Sequence, residues 1–337
     1  MGFIHHMKKA LFLCTLGLLL SCSGHREADS DASGKLNTIS VIIDDQWWNG
    51  EIGDSIRNKF AAPVTGLPQE EPLFDINQYP LRLLEGYMTN SRNIIVVKKE
   101  TAAKYKVVSD EYAKPQNVFH ISGPTTPEIL SVLQKHTPEM LRKMHQTEIL
   151  EAQKSIDTGL LDVSRLRNKF GISLHVPEAY EYALQRTNFT WLKKEMVSGN
   201  MSLLIYSVPL KCLDRNNDAI RNIVTMRDSI GNLYIHGRQP GSRMITEAAY
   251  APYVMQTTIE GRKTYETKGT WELKDDYMSG PFINYAIRDK RNNRILVIEG
   301  FCYAPSKDKR DLMLELEAII KSVNFVNPNQ KKKRNGA

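Results

Sequence analysis

The chain has 337 residues, 41% of them hydrophobic, which is enough for two modest domains or one large one at roughly 150 residues each. Its formal charge is +7, from 45 Lys and Arg against 38 Asp and Glu. Most of the surplus sits at the two ends, in Lys8, Lys9, Lys331, Lys332, Lys333 and Arg334, so the body is close to neutral and no nucleic-acid partner is expected.

In chain order, Lys8 and Lys9 form a basic front, Ala10 to Leu20 an apolar core, and small residues follow. That is the three-part layout of a secretory signal, and its apolar run is shorter than the about 20 residues a membrane-spanning helix needs. The run closes on Leu19-Leu20-Ser21-Cys22, which resembles the bacterial lipobox, whose cysteine takes a diacylglycerol and becomes the new N-terminus. Residues 1–21 are therefore expected to be a lipoprotein signal peptide, and Cys22 a palmitate-bearing anchor in the membrane, each buried methylene contributing roughly 0.8 kcal/mol. Ser23 in place of an aspartate fits sorting to the outer membrane, on its periplasmic or its surface face. Met7 would serve as a start as well as Met1. Residues 22–36, with Glu27, Asp29 and Asp31 and no apolar period, read as a disordered tether, and residues 327–337 as a basic disordered tail.

The body divides into two expected units, 37–160 and 161–326. In the first, Ile39 to Ile43 is a buried strand that runs into the polar and aromatic turn Asp44-Asp45-Gln46-Trp47-Trp48, and a helix follows from about Gly53 to Phe60. Pro63, Gly66, Pro68 and Pro72 then impose a long loop, and Ile94 to Lys98 and Val118 to Ile121 are strands. Thr126-Pro127 and Thr137-Pro138 each look like a helix start, which predicts two helices with a break near His136. In the second unit, Ile172 to Val176 alternates as a strand, a short helix follows Pro177, and Phe189 to Met196 and Met201 to Val208 are strands. Asp218 to Tyr234 is helical, Phe282 to Asp289 and Arg294 to Tyr303 flank hairpin chemistry, and a last helix capped by Ser306 runs to about Ser322. The pattern predicts an α+β fold, antiparallel sheets with packed helices in two sheet-and-helix units.

Chemistry is harder to locate. His25, His120, His136, His145, His175 and His236 form no metal-ligand spacing, so no metal and no cofactor are expected. Asp214-Arg215-Asn216-Asn217-Asp218 imitates a calcium loop, but Ala219 and Thr225 stand where the turn glycine and the bidentate glutamate belong. Cys212 and Cys302 remain as a possible disulfide in an oxidising envelope. The segment Gly269 to Tyr285 places Trp271, Tyr277, Phe282 and Tyr285 beside Asp275 and Asp276, with Gly280-Pro281 fixing a turn. Rigid aromatics with polar neighbours suit a face for a peptide or glycan, while the alternative is simple packing. Trp47 and Trp48 make a smaller patch of the same kind.

Leu67-Pro68-Gln69-Glu70-Glu71-Pro72-Leu73-Phe74, Gly269-Thr270-Trp271-Glu272, Met278 to Tyr285, Glu299 to Pro305 and Leu316 to Ile320, taken in order, resemble the domain of unknown function 4837 family, lipoproteins of Bacteroidetes, over essentially the whole mature chain. The resemblance implies an envelope lipoprotein and carries over no catalytic residue. The expected function is thus a lipid-anchored envelope module for binding or assembly, with a protein, peptide or glycan partner. The alternatives are an envelope hydrolase using Asp275 or Asp276, and a structural scaffold with a large apolar patch.

Overall fold

A computed structural model describes residues 30–84, 89–214 and 218–326. Cys22, the signal 1–21, the first part of the tether, Asn216, Asn217 and the tail 327–337 lie outside the described residues.

Uninterrupted apolar runs build the first sheet. Strands β1 (Thr38–Ile42) and β3 (Asn93–Lys99) are buried on both faces, the signature of a central strand covered on each side. Around them stand β2 (Asp75–Tyr79), β4 (Lys104–Ser109) and β5 (Asn117–Gly123), in the order β2-β1-β3-β5-β4. Pairings β1–β2, β1–β3 and β3–β5 are parallel, and only β4–β5 is antiparallel. This sheet is therefore mixed, where an antiparallel one was expected, because helices and long loops carry the chain back between its strands. The turn at Asp44 is a short helix, α1 (Asp45–Trp48), leading into α2 (Glu51–Phe60). Ile39, Val41 and Ile43 pack against Ile52, Ile56 and Phe60 of α2 and Leu133 and Met140 of the following helix.

That helix, α3 (Thr126–Ile156), is continuous through Pro138, so the expected break near His136 does not occur. Proline removes the backbone donor that would meet the Gln134 carbonyl, but the stripe Ile129, Leu133, Met140, Met144 and Ile149 stays buried on both sides of it. Tertiary burial outweighs the local penalty.

The second unit begins with α4 (Ser164–Phe170), the two-residue strand β6 (Ile172–Ser173) and β7 (Glu181–Arg186). Strand β6 is shorter than the alternation suggested, and β7 replaces the short helix expected after Pro177, because its half-buried alternation pairs with the next strand. Strands β8 (Phe189–Met196), β9 (Gly199–Pro209), β10 (Arg243–Thr246), β11 (Tyr253–Ile259), β12 (Arg262–Lys274), β13 (Ser279–Asp289) and β14 (Arg294–Tyr303) complete an antiparallel sheet in the order β10-β12-β13-β14-β9-β8-β7, with β11 also on β12. Asn293, at φ 50°, closes the β13–β14 hairpin. Helix α5 (Ala219–Tyr234), capped by Asp218 accepting from the Arg221 amide at 2.9 Å, covers one face. Helix α6 (Arg310–Lys321) covers the other, and β15 (Asn324–Phe325) pairs with β6. The architecture is α+β, with helices packed on sheets in both units.

Two further corrections follow. Ser306 does not cap α6: its hydroxyl meets that of Ser198 at 2.6 Å, and the helix begins four residues later. Cys212 and Cys302 are both free, Cys302 buried with its sulfur 3.8 Å from that of Met313, so they form no disulfide. Burial pushes the Cys302 thiol up to about 12, which keeps it protonated and inert.

Candidate functional site

The site grows from alternation on two strands and a helical stripe. Glu266 and Lys268 share one face of β12, Ile283 and Tyr285 the same face of β13, and the register sets Glu266 opposite Tyr285 and Lys268 opposite Ile283. Helix α6 lies over this face and presents Met313, Glu317 and Lys321 at intervals of one turn. Helix α3 of the first unit adds His145.

Glu317 is the centre of the resulting cluster, with its side chain 5% exposed. It receives Lys321 Nζ at 2.6 Å, His145 Nε2 at 2.9 Å, the Tyr285 hydroxyl at 3.2 Å and Lys268 Nζ at 3.4 Å. Lys268 also meets Glu266 at 3.2 Å, and the Tyr285 hydroxyl donates to the other Glu266 oxygen at 2.9 Å. Burial is the largest single influence on Glu317 and pushes its carboxyl up, but Lys268, His145 and Lys321 together hold it well below the usual range. Burial likewise opposes the charge on Lys268, and Glu317 and Glu266 outweigh it, so the ammonium persists. Burial, then Glu317 and Glu266, raise the Tyr285 phenol well above its ordinary value, which leaves it a hydrogen-bond donor.

A cavity of about 270 Å³ opens above this cluster, between the two units. Its walls are mostly apolar, from Val64, Leu67, Leu73, Leu141, Met313 and Leu314, with His145, Lys268 and Glu317 as one ionic group and Asn37 and Arg310, at the start of α6, as a second polar group. The proline loop 61–74 forms one wall and is fixed by Glu71, whose two oxygens accept from the backbone amides of Lys309 and Arg310, each at 2.8 Å. A carboxylate thus caps α6 from a distant segment and complements its dipole. Arg310 ties the same loop down through the Pro72 carbonyl at 3.0 Å and Asp75 at 2.9 Å.

A folded-state carboxyl held low contributes stability above the unfolded value of about 4.5, and that contribution is lost as pH falls through the lower folded value. Thermal melts from about pH 7 to about pH 3 should therefore show the unaltered protein losing Tm on acidification, and Glu317→Gln starting lower and losing less. Parallel curves would refute this account of the cluster.

The sequence-predicted face does not assemble. Trp271 is 2% exposed, its indole donating to the Cys302 carbonyl at 3.3 Å and meeting Phe301 edge-on. Phe282 is buried beneath the Arg227 guanidinium, 3.7 Å from the ring centre, and Tyr285 points to the opposite side of the sheet. Strand alternation separates them. Gly280 is needed because a Cβ there would run into the Cys302 carbonyl of β14. Asp275, at φ 66°, and Asp276 make the β12–β13 turn, with Asp276 accepting from the Tyr277 amide at 2.7 Å and the Arg238 amide at 3.3 Å, while Tyr277 is fully exposed. Trp47 and Trp48 are half-buried, with Arg57 stacked 4.4 Å over Trp48. Of that set only Pro281 and Phe282 line the cavity, and Tyr285 adjoins the ionic group at Glu317.

The remaining histidines among the described residues pair locally: His120 with Glu111 at 2.6 Å, His175 with Asp157 at 2.7 Å, His236 with the Ser242 carbonyl at 3.0 Å, and His136 stacked on Tyr105; His25 lies outside the described residues. Asp214 is paired with Arg288, which holds its carboxyl low. Among the described residues no group of His, Cys, Asp and Glu gathers as a metal site.

The fold and the site define an α+β protein with a mostly apolar cavity between its two sheet-and-helix units, bordered by a few charged groups. Residues 160–322 of the chain match the family Domain of unknown function (DUF4837). The resemblance to that family thus extends over the second unit, while residues 32–157, which include the loop at Leu67 to Phe74, match a different one, Domain of unknown function (DUF8532). No curated protein matches the chain. Among solved structures it is similar to the Saccharomyces cerevisiae Ran-binding protein Mog1p, at 10% identity and a TM-score of 0.32, over 47% of this chain and 92% of that one. A mutant of the protein Mog1 matches at 10% identity and a TM-score of 0.31, over 48% of this chain and 93% of that one.

Proposed function

We propose that this chain is a lipid-anchored protein of the cell envelope, acylated at Cys22, and that its body is a non-catalytic binding module whose cavity receives an apolar group of a protein or peptide partner. The anchor rests on the stretch Leu19-Leu20-Ser21-Cys22 behind an apolar run and a basic front. The observation that carries the binding role is the cavity itself, mostly apolar on its walls and about 270 Å³ in volume, with a few polar groups, among them His145, Lys268, Glu317 and Arg310, around it. A general acid or base works best with a pKa near the working pH, whereas the Glu317 carboxyl is driven far from it and is held by four donors, an arrangement that suits orientation over proton transfer. A glycan would present hydroxyls to walls that offer few partners, so an apolar side chain is the better occupant.

Labelled palmitate should appear on the protein and vanish in Cys22→Ala. Crosslinking in intact envelopes should capture a partner that Leu67→Trp, which fills the cavity, no longer captures. Label persisting in Cys22→Ala removes the anchor, and undiminished capture by Leu67→Trp removes the cavity as the binding site.

A further inference from the structure

A second cavity, of about 510 Å³, lies on the second unit away from the first, and its lining is unlike the rest of the nearly neutral body. Helix α4 contributes Arg167 and Lys169, β12 contributes Arg262, and the β13–β14 hairpin contributes Arg291 and Arg294. Glu260 lies 3.8 Å from Arg262, and Asp289 lies 2.9 Å from Arg294. Asp162 is engaged by the amide and hydroxyl of Ser164 at 2.9 and 2.8 Å, and the charges of Arg167 and Arg165 also act on it and help to hold its carboxyl low. The half-buried Lys169 ammonium donates to the Arg186 carbonyl at 2.8 Å, the Thr190 hydroxyl at 3.1 Å and the Phe189 carbonyl at 3.4 Å, all neutral oxygens. Burial accordingly lowers its pKa with no carboxylate to offset the effect. The Arg262 guanidinium is held flat over Phe325 at 3.6 Å, which fixes its donors in place.

Concave placement of four arginines from three separate elements, with Lys169 beside them, is a recognition geometry rather than a solvated face. Planar guanidinium forks match phosphate oxygens, and Lys169, whose three donors are turned to oxygens of β7 and β8, contributes only its charge nearby. We propose that this cleft binds a phosphate group, carried either by the headgroup of an anionic phospholipid or by free phosphate. The inference stands apart from the anchor and from the inter-unit cavity: it requires neither acylation of Cys22 nor occupation of the site at Glu317. Binding through such contacts weakens with ionic strength, since the screening length is about 10 Å at 0.1 M salt.

The test uses the full-length chain in micelles of a neutral maltoside, titrated with inorganic phosphate, with monomeric dihexanoylphosphatidylglycerol, and with dihexanoylphosphatidylcholine as the zwitterionic control, followed by phosphorus NMR. One of the first two probes should bind, and Arg167→Glu, a change at an exposed residue that leaves packing intact, should weaken it by about tenfold or more. Lys99→Glu on the other unit should leave it unchanged. Phosphate binding as tightly as the glycerol lipid identifies free phosphate as the ligand, and preference for the lipid identifies the headgroup. Binding of neither probe, equal binding of the choline lipid, or indifference to Arg167→Glu would overturn the proposal.

Discussion

Replacing Arg227 by Ala should destabilise the protein by about 3–5 kcal/mol, because it strands a buried carboxylate. Arg227 sits on α5 with 1% of its side chain exposed, and its Nε donates to Glu299 on β14, 0% exposed, at 2.9 Å. Nη1 donates to the Thr246 hydroxyl at 3.0 Å, Nη2 faces the Met244 sulfur at 3.8 Å, and the guanidinium carbon lies 3.7 Å from the Phe282 ring centre. Asn284 satisfies the second Glu299 oxygen at 2.7 Å. Burial, the largest influence, raises the Glu299 carboxyl, and Arg227 and Asn284 pull it back only in part. A group raised on folding contributes stability that is complete below the unfolded value of about 4.5 and is lost as pH rises through the folded one. Without Arg227 that rise grows, so the deficit of Arg227→Ala should shrink on acidification, where Glu299 takes up a proton. The joint change Arg227→Met with Glu299→Leu should recover most of the loss, since the pair is replaced by apolar groups of similar size. Urea denaturation of the unaltered protein and the two variants at two pH values decides the matter. A double variant as unstable as the single would show that the ion pair was not the cause.

What could be read from the chain alone was local. The buried runs of β1 and β3, the capped stripe of α5 and the Asn293 turn each carry their signal within a dozen residues, and all appear where expected. Strand β7 did not, because six residues of half-buried alternation next to a proline look as much like a short helix as a strand. Pro138 misled for the opposite reason: its signal is strong, but the helix around it is held from outside by a buried stripe that local propensity does not register. The site was the least legible part. Glu317 stands in Leu316-Glu317-Ala318-Ile319-Ile320, where a charge inside an apolar stripe hints at a buried partner; Lys321 one turn on is legible, yet the other three partners come from residues 145, 268 and 285. Glu71 reads as one acid among several in a proline loop, and only the fold turns it into the cap of a helix that begins at Arg310. Aromatic richness pointed at Trp271 and Phe282 because burial and display share the same composition, and only strand alternation tells them apart.

The second large effect concerns Arg92, which fastens the start of the described chain to the first unit. Its guanidinium donates to the carbonyls of Gly34 at 2.9 Å and Lys35 at 2.7 Å, and to both oxygens of Glu148 on α3, at 3.1 and 3.0 Å. Glu148 is fully buried and also accepts from the Asn93 side chain and the Asn37 amide, each at 2.9 Å. Asn37 in turn reaches Asp311 of α6 at 2.8 Å and lines the inter-unit cavity, so one carboxylate links the chain entry, the first sheet and the wall of the candidate site. Arg92→Ala should cost about 3–5 kcal/mol by leaving Glu148 without a countercharge. Arg92→Lys should restore only part of that, because a single ammonium cannot fork across two carboxylate oxygens while holding two carbonyls. Loss of the two carbonyl contacts also frees the exposed Lys35, so trypsin should cut there faster in Arg92→Ala than in the unaltered protein, ahead of cleavage in the sheets. If the urea midpoint falls but cleavage at Lys35 keeps its rate, the guanidinium stabilises the sheet alone and the entry segment is held by something else.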